Sequence, residues 1–375
     1  MNELLVQTYL RNGGTFDGLL REYGVKATPY NGKVSLAYDQ LAARNNCPLA
    51  CQCRGLILRD GSWDIVAYPF NRFFNEGQGE AATIDWSTAR FEDKLDGTLL
   101  IVYWDDVADR WKCGTRNMCE AQGNINGAGT FAELADRAAA EMGVYATDLH
   151  TLMDGVAANR RHTYMFELTG PYNTIVCQYR ELKLTLLGIR SLDSHEELDP
   201  TGPTNWMGFD TVKTWSFANL AELAEVMRTW DPREYEGVVV KDAHFNRIKV
   251  KSPAYLAAAH ASESLGNSWR AVCDAILTGA ADDLIGIVPP LVEERILKLR
   301  PAIAAVIERT EADYAEIAYE DNMKSFAEMA KLRIWPAALF SVKRQKAPNV
   351  AEFARGSGAE SMLEMCEKVM PGVTQ

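Results

Sequence analysis

The sequence predicts an α+β fold, strand-rich over its first two-thirds and almost wholly helical after that. Three observations predict it. Up to Lys251, short apolar or alternating runs recur between turns marked by Gly, Asn and Asp, the pattern of strands. Beyond Pro253 the apolar residues recur at helical spacing, punctuated at Pro289-Pro290, Pro301, Pro336 and Pro348. And 375 residues are enough for two domains, each with its own core. The boundary is expected near residue 252, giving domains 1–252 and 253–375.

Taken in order, Glu3 to Leu10 reads as a short helix capped by Asn2, and Phe16 to Tyr23 as a second closed by Gly24. Val34 to Tyr38 turns strand-like. Cys53 to Arg59, with Asp60-Gly61 and the return Ile65 to Tyr68, reads as a hairpin. Pro69 to Asn75 follows as an aromatic and basic loop, with at least one of Phe73 and Phe74 expected in the core. Glu92-Asp93-Lys94-Leu95-Asp96-Gly97-Thr98 then leads into the apolar run Leu99 to Trp104, a buried strand with Trp111 to Thr115 as its partner. Extended backbone would point Lys94 and Asp96 the same way, which is equally the pattern of a surface ion pair. Thr130 and Glu133 form a capping box for a helix closed by Gly143. Strands follow at Tyr164 to Leu168, Thr174 to Tyr179 and Leu182 to Arg190. A helix over Asn219 to Trp230 precedes two more strands, Glu236 to Lys241 and Arg247 to Lys251, the latter with Arg247, Lys249 and Lys251 on one face. Helices are predicted at 254–264, 269–277, 292–299, 302–329 and 359–369.

The composition is that of a globular protein, 47% hydrophobic and 24% charged. No apolar run is long enough for a bilayer span, and the N-terminus lacks a signal-peptide pattern, so an intracellular, soluble protein is expected. Of the eight cysteines only Cys47, Cys51 and Cys53 cluster, at a spacing unlike a zinc finger, and reduced thiols are expected. The net charge of −12 argues against loose adhesion to nucleic acid but leaves room for a local cationic site.

Such a site has candidates. Lys94 and Asp96, Glu167, Glu236, and Lys249 with Lys251 are out-of-pattern charges on separate strands of the first domain. Buried ions are costly unless paired or metal-bound, so four of them suggest convergence. A lysine, carboxylates and several cations suit a nucleoside triphosphate with magnesium. Neither a P-loop nor a Gly-x-Gly-x-x-Gly turn is present.

These residues also carry a resemblance. Lys94-Leu95-Asp96-Gly97 is similar to the Lys-x-Asp-Gly signature of ATP-dependent ligases and capping enzymes. Phe166-Glu167, Leu182 to Arg190, Glu236-Gly237-Val238-Val239 and Ile248 to Lys251 follow in that superfamily's order. Cys53-Arg54-Gly55, Arg72-Phe73-Phe74-Asn75, Pro171 to Val176 and Lys251-Ser252-x-x-Tyr255 resemble the RNA ligase 1 family of tailed bacteriophages, over essentially the whole chain. The resemblance implies a nucleotidyltransferase (ATP-grasp-like ligase) domain of antiparallel sheets with flanking helices, then an all-helical domain that sets tRNA specificity. It implies an ATP-dependent RNA ligase using Mg2+, in which Lys94 takes AMP from ATP, passes it to an RNA 5′-phosphate, and a 3′-hydroxyl displaces it.

By the same resemblance Lys94, Asp96, Glu167, Glu236, Lys249 and Lys251 are catalytic, with Lys249 and Lys251 expected to lower the Lys94 pKa. Asp96 would orient Lys94 or assist a later proton transfer. Tyr38, Arg54, Arg72, Gly97 and Tyr255 join them in binding ATP. Glu167 and Glu236 are the candidates for metal, with the split between metal and ribose open. The implied partners are a tRNA broken in its anticodon loop and an end-healing polynucleotide kinase/phosphatase, in the host cytoplasm. Two positions depart from the family. Arg72 stands where a lysine is usual. Cys113-Gly114-Thr115 stands where a lysine precedes a Gly-Ser pair, with Lys112 and Arg116 as alternative replacements. The competing readings are a DNA ligase or capping enzyme, and a non-catalytic RNA-binding protein on the same fold.

Overall fold

The computed structural model describes residues 3–374, apart from 40–41, 126, 143–145, 201–207, 267, 280, 282–287 and 289. These divide into two compact units, Met1–Tyr255 and Leu256–Gln375.

The first unit opens with helices α1 (Leu5–Arg11) and α2 (Phe16–Tyr23). Thr15 caps α2 and Gly24, in the left-handed region, closes it. For α1 the expected cap Asn2 lies outside the described residues. The N-cap is Leu4, whose N–H donates to the Gln7 side chain at 3.0 Å. Strands β1 (Val25–Tyr30) and β2 (Lys33–Tyr38), helix α3 (Pro48–Gln52) and strands β3 (Arg54–Arg59) and β4 (Ile65–Ala67) follow. The strands form an antiparallel sheet in order β1-β2-β3-β4. The sequence reading omitted β1 and α3. Pro29 masks β1, which is an edge strand, where a missing N–H is tolerated.

The chain continues through β5 (Phe74–Asn75), β6 (Arg90–Lys94), β7 (Thr98–Asp105), β8 (Arg110–Gly114), α4 (Phe131–Met142) and α5 (Leu149–Gly155). Then come β9 (His162–Thr169), β10 (Lys183–Ser191), β11 (Glu197–Leu198), β12 (Thr214–Trp215), α6 (Leu220–Met227), β13 (Gly237–Lys241) and β14 (Arg247–Lys251). The box between Thr130 and Glu133 caps α4; Gly143, its expected terminus, lies outside the described residues. A second sheet has the order β11-β10-β9-β7-β8 and a third β12-β6-β13-β14-β5, antiparallel except for β14 with β5. In the second sheet Leu100, Val102, Tyr164, Phe166 and Leu168 face a core shared with α4 and α5. In the third, Phe91, Val238, Val240 and Ile248 face Leu223 and Met227 of α6. Apart from a register shift in β10 between Leu186 and Gly188, both sheets keep their alternation, so every second residue points away from these cores.

Two expectations fail here. Residues 174–179 form a loop, because the N–H groups of Val176 and Cys177 donate to the Asp96 carboxylate instead of a neighbouring strand. And Lys94 and Asp96 do not share a strand: β6 ends at Lys94 and β7, in the other sheet, begins at Thr98.

Helix α7 (Pro253–Gly266) begins in the first unit. The second unit continues with α8 (Trp269–Thr278), α9 (Pro290–Ile317), α10 (Met323–Ala330), α11 (Pro336–Lys343), α12 (Val350–Gly356) and α13 (Ala359–Val369). Its core includes Val272, Ile296, Leu299, Val306, Met362 and Cys366. The break expected at Pro301 does not occur; α9 runs through it. An internal proline costs about 3 kcal/mol, and burial of Leu299, Ala302 and Ile303 around it offsets that. The helix expected over 302–329 instead stops at Ile317 and restarts at Met323 under an Asn322 cap. Pro336, read as punctuation, occupies the first turn of α11, where it is favoured. Among the described residues no helix is long and apolar enough to cross a membrane.

Candidate active site

The face of the third sheet turned away from α6 carries ordered rows of side chains. Pairing sets Lys94 opposite Gly237 and Gly237 opposite Lys251, and in the next row Glu92, Val239 and Lys249. A third row holds Arg90, Lys241 and Arg247. Neighbouring strands lie about 4.8 Å apart, so Lys94 and Lys251 flank the glycine between them. Glu236, just before that glycine, bridges the two: Oε2 lies 2.7 Å from Lys94 Nζ and Oε1 2.9 Å from Lys251 Nζ. The glutamate is 3% exposed and the lysines 22% and 29%. Gly237 has φ +156, and a Cβ there would collide with the Val250 carbonyl oxygen, so only glycine allows this strand approach.

The opposite wall comes from the second sheet. Leu99 of β7 pairs with Glu167 of β9 on the face away from α4 and α5. The Gly97 N–H donates to Glu167 Oε1 at 3.1 Å. A Cβ on Gly97 would strike the Leu168 carbonyl oxygen, which explains glycine in the turn after Lys94. Arg54, at the start of β3, and Phe73 complete the enclosure. The Arg54 guanidinium lies 4.9 Å and Lys249 Nζ 4.7 Å from the Phe73 ring centroid. The resulting pocket is lined by Arg54, Phe70, Phe73, Asp93, Lys94, Leu95, Leu99, Glu167, Leu187, Val239, Lys249 and Lys251.

Burial and charge together perturb this site. Burial, reinforced by the positive charges of Arg54, Lys94 and Lys251, pulls Lys249 down to about 7. Burial pushes Glu167 up to about 7 against the pull of Lys94. Lys249, expected from the sequence to act on the Lys94 amine, is thus itself a lowered amine. Arg54 is also lowered by burial, and its Nη1 is buried without a hydrogen-bond partner. A pocket with buried, unsatisfied cationic donors and apolar walls is arranged for an anion carrying a flat apolar group.

Asp96 has a different place from the one expected. Its Oδ2 accepts from Val176 N and Cys177 N, both at 2.8 Å, and its Oδ1 from Tyr255 Oη at 2.8 Å. Its own N–H donates to Tyr179 Oη at 3.0 Å. The ion-pair partner of Lys94 is Glu236, so Asp96 holds the turn and does not contact the amine through an ion pair. Burial, with Glu236 nearby, raises its pKa. Tyr255 is 3% exposed and lies outside the pocket wall, touching it through Lys251, whose Nζ is 5.2 Å from its ring.

Tyr38 and Arg72 also lie outside the wall, in an adjoining cluster. Arg72 and Arg116 sit 4.3 and 4.1 Å from the Tyr38 ring centroid, and Arg116 Nη2 donates to the Tyr38 carbonyl at 2.7 Å. Arg72 Nη1 and Arg116 Nε are buried without hydrogen-bond partners. Lys112 is instead held by Glu120 at 2.9 Å. Arg247, on the basic face of β14, is taken by Glu197 at 2.6 Å. The sequence reading did not single out Leu99, Leu187, Val239 or Tyr179. Strand alternation opposite the apolar cores was the signal for the first three; nothing local marks Tyr179.

The donor set was tested against a divalent cation. Both oxygens of Glu236 are committed to lysines, while Glu167 has one oxygen without a hydrogen bond to the chain. Among the described residues no group of three or more His, Cys, Asp or Glu is placed to hold a metal. The residues therefore fit an ion that takes most of its ligands from phosphate and water, with Glu167 as the protein carboxylate.

A family model described as RNA ligase matches residues 52–255. An RNA ligase of Rhodothermus phage RM378 is 23% identical over 352 residues, covering 75% of this chain and 77% of that protein. A protein of Autographa californica nuclear polyhedrosis virus, described as a bifunctional polynucleotide kinase/RNA ligase, is 27% identical over 77% of this chain, which spans only 42% of that protein. Among solved structures an archaeal ATP-dependent RNA ligase shares 14% identity with TM-score 0.46, covering 88% of this chain and 89% of that one. The match takes in every pocket-lining residue. This chain belongs to the bacteriophage RNA ligase 1 family.

Proposed function

We propose that Lys94 carries AMP as a covalent phosphoramidate during RNA joining. The observation that supports this most is the bridge Lys94–Glu236–Lys251 at the mouth of a cationic pocket. In the first step Lys94 Nζ forms a bond to the α-phosphorus of ATP and the bond to the β-phosphate oxygen breaks, expelling pyrophosphate. In the second, an oxygen of an RNA 5′-phosphate attacks the same phosphorus, the N–P bond breaks, and the amine is regenerated. In the third, a 3′-hydroxyl attacks the 5′-phosphate and AMP departs.

Each neighbour has work in this sequence. The amine attacks only as free base, so its contact with Glu236 must be given up or its proton accepted there. Lys249, Lys251 and Arg54 stand where negative charge builds on the phosphates. Phosphate beside Lys249 restores its protonated form, since an adjacent anion raises an amine pKa. Phe73, Leu99 and Val239 offer an apolar slot for the base, and Arg72 and Arg116 reach further phosphate oxygens. Mg2+, when bound, neutralises phosphate charge and orients the leaving pyrophosphate; Glu167 is the side chain that would hold it. Asp96 keeps the turn in place through Tyr255 and the 176–177 backbone.

Incubation with α-labelled ATP and magnesium, followed by a denaturing gel, tests the reading. A labelled protein band is expected, and Lys94→Ala is expected to abolish it. A band that survives Lys94→Ala overturns the assignment.

The substrate is proposed to be a tRNA broken in its anticodon loop, in the cytoplasm, with residues 256–375 supplying preference for the folded tRNA. The viral kinase/ligase relative supports a link to end healing, because ligation needs a 5′-phosphate and a 3′-hydroxyl. Truncation after residue 255 is the test: tRNA preference falls while self-adenylylation persists.

A further inference from the structure

Beside the nucleophile turn lies a small surface that the ATP chemistry leaves unused. The loop 171–177 is tied to that turn at both ends. Asn173 Nδ2 donates to Thr98 Oγ1 at 3.2 Å and to the Leu168 carbonyl at 2.7 Å, and Val176 and Cys177 donate to Asp96. Just before the first tie the chain exposes Tyr172, at 42%, and between the ties it exposes Ile175, at 46%. From α4, the Arg137 guanidinium lies 4.9 Å from the Tyr172 ring centroid, with Nη2 3.3 Å from Tyr172 Oη. Among the described residues no carboxylate forms an ion pair with Arg137. Neither residue lines the ATP pocket.

A tyrosine face held rigidly in water, with a cation beside it, has the chemistry of a single-stranded nucleic acid platform. Bases stack on the ring whatever their identity, and the cation meets the flanking phosphate. An aromatic and an aliphatic side chain exposed together are costly on an ordinary loop. They are better explained when a substrate strand covers them. We propose that Tyr172 and Arg137 seat one RNA strand at the break, Tyr172 stacking on a base next to the end being joined and Arg137 contacting its phosphate. This rests on the RNA-ligase reading and adds a strand-positioning site to it. Because the loop is tied to Asp96 and Thr98, a strand seated there is registered against Lys94 without touching it.

The test uses the full-length chain and a nicked RNA stem–loop bearing 5′-phosphate and 3′-hydroxyl ends. Tyr172→Ala is expected to raise KM for RNA roughly 5- to 100-fold, the range for loss of one base stack, with kcat within about twofold. Tyr172→Trp is expected to restore KM, since any flat aromatic ring stacks. Arg137→Ala is expected to weaken RNA binding and make its salt dependence shallower by about one phosphate contact. Self-adenylylation with labelled ATP is measured in parallel. An unchanged RNA KM in Tyr172→Ala overturns the proposal. So does loss of self-adenylylation in that variant, which would mean that the loop only supports the turn. Absence of any labelled band in the unmodified protein would instead defeat the ligase reading itself.

Discussion

The first unit contains two buried lysine–carboxylate clusters, and they behave in opposite ways. In one, Lys33 pairs with Asp105 and with Glu120 at 2.9 Å, while Lys112 pairs with the other Glu120 oxygen at 2.9 Å. Two cations meet two carboxylates, and Lys33 and Asp105 are each 2% exposed. Burial opposes the Lys33 charge, but Asp105 and Glu120 outweigh it and hold its pKa up, while the pKa values of Asp105 and Glu120 are held down. In the other, Lys94 and Lys251 share Glu236, and Lys249 and Arg54 stand behind them with Glu167 and Asp93 in the same pocket lining. There the balance reverses: Lys249 falls and Glu167 rises to about 7. Buried charge alone does not mark function. An unbalanced surplus of cations is the better pointer, because its mutual repulsion is relieved when an anion binds.

The sharpest way to break this comparison is a pair of substitutions. Lys33→Met leaves the buried Asp105 with Lys112, 3.8 Å away, in place of its close partner and is expected to cost about 3–5 kcal/mol of stability, read by urea denaturation. Adduct formation per folded molecule should stay near normal. Lys251→Met is expected to do the reverse, cutting adduct formation roughly 100-fold or more while moving the denaturation midpoint little. If both variants lose stability and activity together, the two clusters are not different in kind.

A smaller effect separates the two candidates for the missing basic residue. Arg116→Ala is expected to raise KM for ATP about 10- to 100-fold, the worth of one charge-assisted hydrogen bond. Lys112→Ala is expected to leave that KM within about twofold, because Glu120 already holds the ammonium. Equal effects would remove the distinction drawn from the geometry.

The smallest effect is a pH slope. Between the ordinary lysine value and 7, the unfolded chain binds the Lys249 proton and the folded chain does not, so this residue makes stability rise with pH above 7. Glu167 acts below 7: from its ordinary value of 4.5 up to 7 the folded chain holds the extra proton, so stability falls as pH rises. The ligand-free protein should therefore show a shallow minimum of these two contributions near pH 7. Lys249→Met should flatten the alkaline limb, and a saturating nucleotide should do the same. Thermal melts from pH 5 to 9.5 measure it, and an unchanged alkaline limb in Lys249→Met refutes the assignment.

Much of this was legible in the sequence, for identifiable reasons. Strands β7, β9, β13 and β14 announce themselves by apolar runs, and the out-of-pattern charges on β9 and β14, with Glu236 just ahead of β13 and Lys94 just ahead of β7, pointed to one site. Local pattern carries no information about pairing across the sheets. Glu236 bridging Lys94 and Lys251 depends on a three-strand register, and Asp96 serving the 176–177 backbone depends on a loop 80 residues away. The loop read as a strand over 174–179 failed for that reason: its donors were already committed. In the second unit Pro301 misled because burial of its neighbours outweighs a local penalty.

Lys94 ends a strand of one sheet and Thr98 begins a strand of another, with only Leu95, Asp96 and Gly97 between them. The amine sits on a seam between sheets whose apolar cores are separate, one packed on α4 and α5, the other on α6. A side chain at such a seam is aimed by both sheets at once. Hollowing either core, by trimming Leu134 or Leu223 for example, would tilt one bank of the seam against the other. The speed of the proposed N–P bond-forming step would then become a gauge of packing in two places far from the phosphorus.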